Sequence, residues 1–352
     1  MKIMIAAGGT GGHVYPALAV ARVLRERGHE VVWMGTPDSF EARVVPQHGI
    51  AIELVRVQGL RGKGVMKLLS APLLLVRAML DAFAVLRRVR PNLVLGMGGF
   101  AAGPGGLAAR LSGRPLVIHE QNAAPGMTNR LLARIASKVL QAFPNTFKAA
   151  ITVGNPVRAG FAELAAPAQR LASHDGAPRL LVLGGSQGAR ALNEMVPAAL
   201  ALLPAELRPQ VRHQGGRTLA VAEAAYAKAG VAGALTAFID DMPAAYDWAD
   251  LVVCRSGAST IAELAAAGCA ALLVPFPAAV DDHQTRNGEY LVRAGAAVLI
   301  AERALDAQRL ADTLRELFAD RARLVAMATA ARTAAWGAAD ERIADLCLEV
   351  AA

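Results

Sequence analysis

A chain of 352 residues with 54% hydrophobic content can bury a large core and exceeds what one core usually supports, so two domains are expected. Its formal charge of +8 is not interleaved with aromatics, which make up 5% of the residues; this argues against a nucleic-acid partner and fits an anionic membrane surface or phosphate-bearing substrates. Three widely spaced cysteines, Cys254, Cys269 and Cys347, form neither a disulfide framework nor a CxxC metal pattern and fit a reducing cytoplasm.

The first strand pattern, KIMIAA, lacks the basic, apolar and small-residue order of a signal peptide. Further β-rich runs follow: EVVWMG, IAIELVRV, NLVLGMGG, PLVIHEQN, KVLQAF and ITVGNP. Helices are expected between them, starting near Pro16, Ser39, Gly64, Pro104 and Pro125. The longest apolar stretch, LLSAPLLLVRAMLDAFAVL, is broken by Arg77 and Asp81 within the roughly 20 residues a spanning helix needs, so no transmembrane segment is expected. After VGNPVRAGF the alanine- and proline-rich stretch to Pro178 reads as a connector. A second series then runs RLLVLGG, PQVRHQGG, ALTAFID, LVVCRSG, AALLVPF and AAVLI. Strands alternating with helices predict an α/β fold with parallel sheets. Each half opens with a strand, a glycine loop and a helix, which predicts two Rossmann-like parallel-sheet domains facing a cleft. Their expected bounds are 1–158 and 159–334, with a C-terminal helix at about 335–352 that can belong to either domain.

Three glycine loops carry the chemistry: GGTGGH, GMGGFAAGPGG and GGSQGA. Glycine lets backbone approach a ligand closely, and the N–H groups at the following helix start favour an anion, so a phosphate or pyrophosphate is the natural guest. Ligands of open α/β sheets bind at such strand C-terminal ends. No GxxxxGK[ST] occurs, which disfavours a nucleoside triphosphatase, and EVVWMGTPD lacks the acid at its strand end that a nicotinamide ribose requires. The segment CRSGASTIAELAAAG offers an alternative ribose holder. There Ser259 or Thr260 can cap a helix, and Glu263, expected in its first turn, either completes a capping box or accepts from a ribose diol while the helix start faces a diphosphate.

Nine blocks in order, GGTGGHVYPALA, GLRGKG, GMGGFAAGPGGLAA, HEQNAAPGMTNRLLA, VGNPVR, GGSQGARALN, FIDDMPAAY, CRSGASTIAEL and VDDHQTRN, resemble the MurG family of peptidoglycan glycosyltransferases with the GT-B fold. The resemblance runs from residue 4 to about residue 290. It implies transfer of N-acetylglucosamine from UDP-N-acetylglucosamine to the C4 hydroxyl of the muramyl sugar of lipid I (undecaprenyl-pyrophosphoryl-MurNAc-pentapeptide). The implied product is lipid II, formed with inversion and with neither cofactor nor protein-bound metal. It implies a peripheral enzyme on the cytoplasmic face of the inner membrane, working beside wall-synthesis and division proteins. Carried over by motif, Thr10, Gly11, Gly12 and Asn122 lie against the donor sugar. Arg158, Ser186 and Ile239 lie along the nucleotide, with the Ile239 backbone reading uracil. Ala258, Ser259, Thr260, Ile261, Ala262 and Glu263 hold ribose and diphosphate, and Gln284 binds the sugar hydroxyls.

Inverting transfer needs a base on the acceptor hydroxyl and charge stabilisation for departing UDP. Helix dipoles with Arg158 or Ser186 are candidates for the second task. His13, at the start of a helix whose dipole favours a neutral ring, is the candidate base, with Glu120 as the rival carboxylate. Of the paired aspartates, Asp240–Asp241 reads as a helix cap and Asp281–Asp282 as loop solvation. Leu69, Leu73, Val76 and Leu80 form a stripe at helical spacing flanked by Arg61, Lys63, Lys67, Arg77, Arg87 and Arg88, which reads either as further core or as a membrane-facing surface. Arg110 stands where relatives can carry tryptophan. Another GT-B enzyme, such as a UDP-sugar epimerase or a lipid galactosyltransferase, should lack GGTGGH together with HEQN. A non-catalytic nucleotide-sugar binder should keep Glu263 and lose the acceptor-side histidine.

Overall fold

The computed structural model describes residues 1–57, 65–161, 163–185 and 187–352, with side chains from residue 73 onward in the helix that begins at residue 65. Arg61, Lys63 and Ser186, and the side chains of Lys67 and Leu69, lie outside the described residues.

Two compact units are present, Met1–Arg158 with Ala338–Ala352, and Ala159–Gly337. In chain order the first unit contains β1 (Lys2–Ala6), α1 (Gly11–Glu26), β2 (Glu30–Gly35), α2 (Phe40–Val44), β3 (Ala51–Leu54) and α3 (Val65–Val89). It continues through β4 (Leu93–Gly96), α4 (Ala102–Leu111), β5 (Leu116–Glu120), α5 (Met127–Leu132), β6 (Lys138–Gln141) and β7 (Ile151–Thr152). The strands pair in parallel in the order β3-β2-β1-β4-β5-β6-β7. Their central members are buried apart from Lys2 at the start of β1. That is why IMIA of β1, LVLG of β4 and LVI of β5 read as continuous apolar runs and not as alternating ones.

The second unit contains α6 (Pro167–Ala172), β8 (Arg179–Leu183), α7 (Arg190–Leu202), β9 (Gln210–Gln214), α8 (Leu219–Ala229), β10 (Ala234–Thr236) and α9 (Met242–Trp248). β11 (Leu251–Cys254), α10 (Ala258–Ala267), β12 (Ala270–Leu273), α11 (His283–Arg293), β13 (Ala297–Leu299), α12 (Ala307–Ala319) and α13 (Arg321–Thr333) complete it. Its strands are also parallel, in the order β10-β9-β8-β11-β12-β13. The last helix, α14 (Ala339–Ala351), packs on α1 and seals the first core with Ile343, Ala344 and Cys347.

Strand order decides where the loops meet. In each sheet the chain winds outward from the first strand and then crosses to its other side. The loops after β1 and β4, and those after β8 and β11, therefore flank the switch points where open α/β sheets bind ligands.

Three sequence expectations are corrected. The first helix begins at Gly11, five residues before Pro16, because Thr10 is its N-cap and Pro16 is accommodated inside it. Residues read as a connector form α6, whose Leu171 enters the second core. The buried Arg170 guanidinium of α6 donates to the Ala267 and Gly268 carbonyls at the end of α10 (both 2.6 Å). Alanine-rich composition hides such a helix, since its hold is a cation on orphan C-terminal carbonyls and not an apolar stripe. The cap of α10 is Gly257, with neither Ser259 nor Thr260 outside the helix.

Candidate functional site

His13 is the third residue of α1, and its N–H points to the Thr10 carbonyl at 3.1 Å. The loops after β1 and β4 pack directly on each other, with the Gly8 N–H donating to the Gly98 carbonyl at 3.2 Å. Gly98 has φ +91°, and a Cβ on it would lie 2.8 Å from His13 Nδ1 and Cε1. Glycine is required there both by the backbone and by the ring beneath it. The bare backbone around His13 is thus what lets two loops close over an imidazole. His13 Nδ1 lies 3.0 Å from Gln121 Oε1, and Gln121 Nε2 donates to the Met97 carbonyl at 2.9 Å.

Beneath the first loop lies Glu41, which sequence reasoning passed over. Its carboxylate accepts from the Gly9 N–H (2.9 Å), the Thr36 N–H (3.1 Å) and the Thr36 hydroxyl (2.8 Å). Burial pushes its acidity down, but the hydrogen bonds from Gly9, from its own N–H and from Thr36 outweigh burial and hold the carboxyl below its ordinary range. A side chain at Gly8 would run into that carboxylate. The reading of this loop as a phosphate cradle is therefore narrowed. Its Gly8 and Gly9 N–H groups are spent inside the protein, an anion already sits below, and only the α1 start keeps N–H groups without an intrahelical acceptor. The one available signal was an acid just after Ser39, which caps α2 through the Ala42 N–H at 3.1 Å.

The strand β5 ends in His119 and Glu120, followed by Gln121 and Asn122. His119 is buried, donates from Nε2 to the Gly154 carbonyl at 2.9 Å, and is pushed down to about 4 chiefly by burial, so it is neutral. Glu120 is 2% exposed. Its Oε1 accepts from the Asn122 N–H (2.9 Å) and the Asn122 amide (3.3 Å). Its Oε2 accepts from the Gly126 N–H (3.2 Å) and the Asn129 amide (2.8 Å). The carboxylate braces the loop that carries Asn122. The Arg158 guanidinium lies over the Tyr15 ring of α1, 5.3 Å from its centroid.

In the second unit, Ala258, Ser259 and Thr260 form the first turn of α10, and their N–H groups have no intrahelical acceptor; the first such bond is Ile261 N–H to Gly257. Glu263 is not in that turn. It lies three residues beyond the position a capping box requires, is 6% exposed, and accepts from the Tyr246 hydroxyl at 3.3 Å. Burial, reinforced by the Glu263 charge, raises the Tyr246 hydroxyl well above its usual range, so it stays a donor. Ile261 is buried, and Ala262 and Ile239 are partly exposed, Ile239 in the loop after β10. Gln284, in the first turn of α11, accepts from the Phe276 N–H at 2.9 Å. Asp241 caps α9 through the Ala244 N–H at 3.0 Å. Asp281 and Asp282 both have positive φ, and Asp282 accepts from the Thr285 hydroxyl at 2.6 Å. Among the described residues no three His, Cys, Asp or Glu side chains are grouped to hold a metal ion.

Residues 3–141 match the glycosyltransferase family 28 N-terminal domain and residues 179–343 its C-terminal domain. A protein of Xanthomonas euvesicatoria, a UDP-N-acetylglucosamine--N-acetylmuramyl-(pentapeptide) pyrophosphoryl-undecaprenol N-acetylglucosamine transferase, is 59% identical over 99% of this chain and 81% of its own length. One of the same name from Marinobacter nauticus is 53% identical over 99% of this chain and 98% of its own. The crystal structure of Acinetobacter baumannii MurG superposes with a TM-score of 0.88 at 40% identity, covering 99% of both chains. Two parallel-sheet units, both family domains and near-full-length identity agree: the chain belongs to glycosyltransferase family 28, within the MurG family.

Proposed function

We propose that this protein transfers N-acetylglucosamine from UDP-N-acetylglucosamine to the C4 hydroxyl of the muramyl sugar of lipid I, giving lipid II with inversion at the anomeric carbon. The observation that carries this is identity of 53–59% over 99% of the chain to relatives bearing that activity in their names.

The residues support a division of labour. In the first unit His13 takes the proton of the acceptor hydroxyl as the oxygen attacks. Glu120, its four hydrogen bonds already made to the Asn122–Asn129 segment, keeps Asn122 in position for the donor sugar beside Thr10, Gly11 and Gly12. In the second unit the start of α10, through the N–H groups of Ala258, Ser259 and Thr260, meets the diphosphate, whose growing charge its dipole stabilises. Arg158 and Ser186 would share that charge. Glu263 accepts from the ribose, the Ile239 backbone reads uracil and Gln284 binds sugar hydroxyls. Ile261 and Ala262 shape the helix start. The test is incubation with labelled UDP-N-acetylglucosamine and a lipid I analogue. A lipid-linked disaccharide is expected, and release of free sugar alone would overturn the proposal.

We further propose peripheral attachment to an anionic membrane on its cytoplasmic face; the attachment is supported by the outer face of α3. Leu73, Val76 and Leu80 are 74%, 55% and 63% exposed, whereas Ala78, Ala82, Val85 and Leu86 turn to the core. From Leu73 onward the stripe is surface. Exposed Leu107 and Leu111 on α4, with Met127 and Leu131 on α5, add apolar area, and exposed Arg77, Arg87 and Arg110 add charge. Arg88 is engaged by Glu53. No helix among the described residues is long and apolar enough to cross a membrane. Binding should require anionic vesicles and weaken with salt, each basic residue contributing ~1 kcal/mol. Equal sedimentation with neutral and anionic vesicles would count against the surface.

A further inference from the structure

Gln121 is 1% exposed and has both ends of its amide engaged. The Met97 carbonyl oxygen can only accept, so the NH2 side of the amide must face it, at 2.9 Å. That turns Oε1 toward His13 Nδ1, at 3.0 Å. An amide oxygen can also only accept, so Nδ1 must carry the hydrogen. In a neutral imidazole the lone pair is then on Nε2. A reversed amide would set two oxygens against each other where water has no access. A Cβ on Gly98 would lie 2.8 Å from Nδ1 and Cε1, so glycine there leaves the ring the room it occupies beside Gln121.

From this geometry we infer that Gln121 is a positioning residue: it holds His13 in the Nδ1–H tautomer and so makes Nε2 the atom that receives the acceptor's proton. The inference rests on the reading of His13 as the base. As the C4 oxygen bonds to the anomeric carbon, its proton passes to Nε2, and the bond from the anomeric carbon to the UDP oxygen breaks with its electron pair leaving on UDP. The imidazolium then donates Nδ1–H to a neutral amide. It returns the Nε2 proton to solvent after product departs.

The test is long-range ¹H–¹⁵N NMR of the full chain labelled at its 7 histidines, with His13 assigned by its absence in His13→Gln, alongside kinetics. The wild-type protein should show a protonated Nδ1 and a bare Nε2. Gln121→Met should populate the Nε2–H form and lower kcat ~10- to 100-fold, the scale for losing the partner that orients a histidine. Donor KM and UDP affinity should hold. Gln121→Glu, protonated on the oxygen that faces the Met97 carbonyl, still offers Nδ1–H an acceptor and should restore both tautomer and rate toward wild type. A bare Nδ1 in the wild-type spectrum overturns the inference, as does a folded Gln121→Met with wild-type tautomer or kcat. Should that variant not fold, the wild-type spectrum decides. Full turnover by His13→Gln would instead remove the base reading itself. An inactive His13→Gln beside a fully active Gln121→Met would remove only the role of Gln121.

Discussion

His13→Gln should turn over ~10² to 10⁴-fold more slowly than wild type with both substrates saturating, the range for losing acid–base catalysis, while UDP affinity stays unchanged. The glutamine amide matches imidazole in reach and can keep a hydrogen bond inside the loop, but it cannot take a proton. Nucleotide binding is spared because the residues proposed to hold UDP belong mainly to the second unit. The effect is expected in kcat because proton transfer occurs only as the oxygen attacks. Glu120 offers little relief, since its carboxylate is buried and already accepts from Asn122, Gly126 and Asn129. Steady-state kinetics with a lipid I analogue, paired with calorimetric titration of UDP, checks both halves. Wild-type kcat in the folded variant would exclude His13 as the base.

Glu263→Ala should weaken UDP binding by ~1.5 to 3 kcal/mol, the scale for hydrogen bonds to a charged group, which is about 10- to 150-fold in Kd. Its carboxylate lies one and a half turns into α10, past the helix start proposed to meet the diphosphate, which suits a ribose one unit further along the nucleotide. The substitution also takes an acceptor from the buried Tyr246 hydroxyl, so a loss of stability of ~1 to 3 kcal/mol is expected alongside. Glu263→Gln separates the two effects. It leaves Tyr246 an oxygen to donate to and should recover Tm, while the lost charge should keep UDP binding weaker than wild type. Unaltered UDP affinity in a folded Glu263→Ala would reject the assignment.

Much of the architecture was legible because parallel strands buried on both faces leave unbroken apolar runs such as IMIA and LVVC, each with a glycine within the next three residues. Helix starts were less so. Thr10 is of a type that favours the N-cap, but it makes no side-chain cap hydrogen bond, and Pro16, inside α1, was the more conspicuous start signal. Gly257 caps α10 through its backbone conformation alone, with Ser259 and Thr260 the more conspicuous candidates. Glu41 and Gln121 were illegible for a topological reason. They act on Gly9 and His13 across 32 and 108 residues of sequence, and only the order of β2, β1, β4 and β5 in the sheet brings them there. The outer face of α3 was visible as an apolar stripe, but periodicity reads the same for a stripe facing core or water. Exposure distinguished them.

The most direct measurement is the linkage in the product formed from ¹³C-labelled UDP-N-acetylglucosamine and a lipid I analogue, read by NMR. The expected product carries one N-acetylglucosamine joined through the C4 oxygen of the muramyl sugar with the anomeric configuration inverted from the donor, and one UDP released per disaccharide. A retained configuration, or a linkage through any other acceptor oxygen, would contradict a single displacement by the C4 hydroxyl under the control of His13.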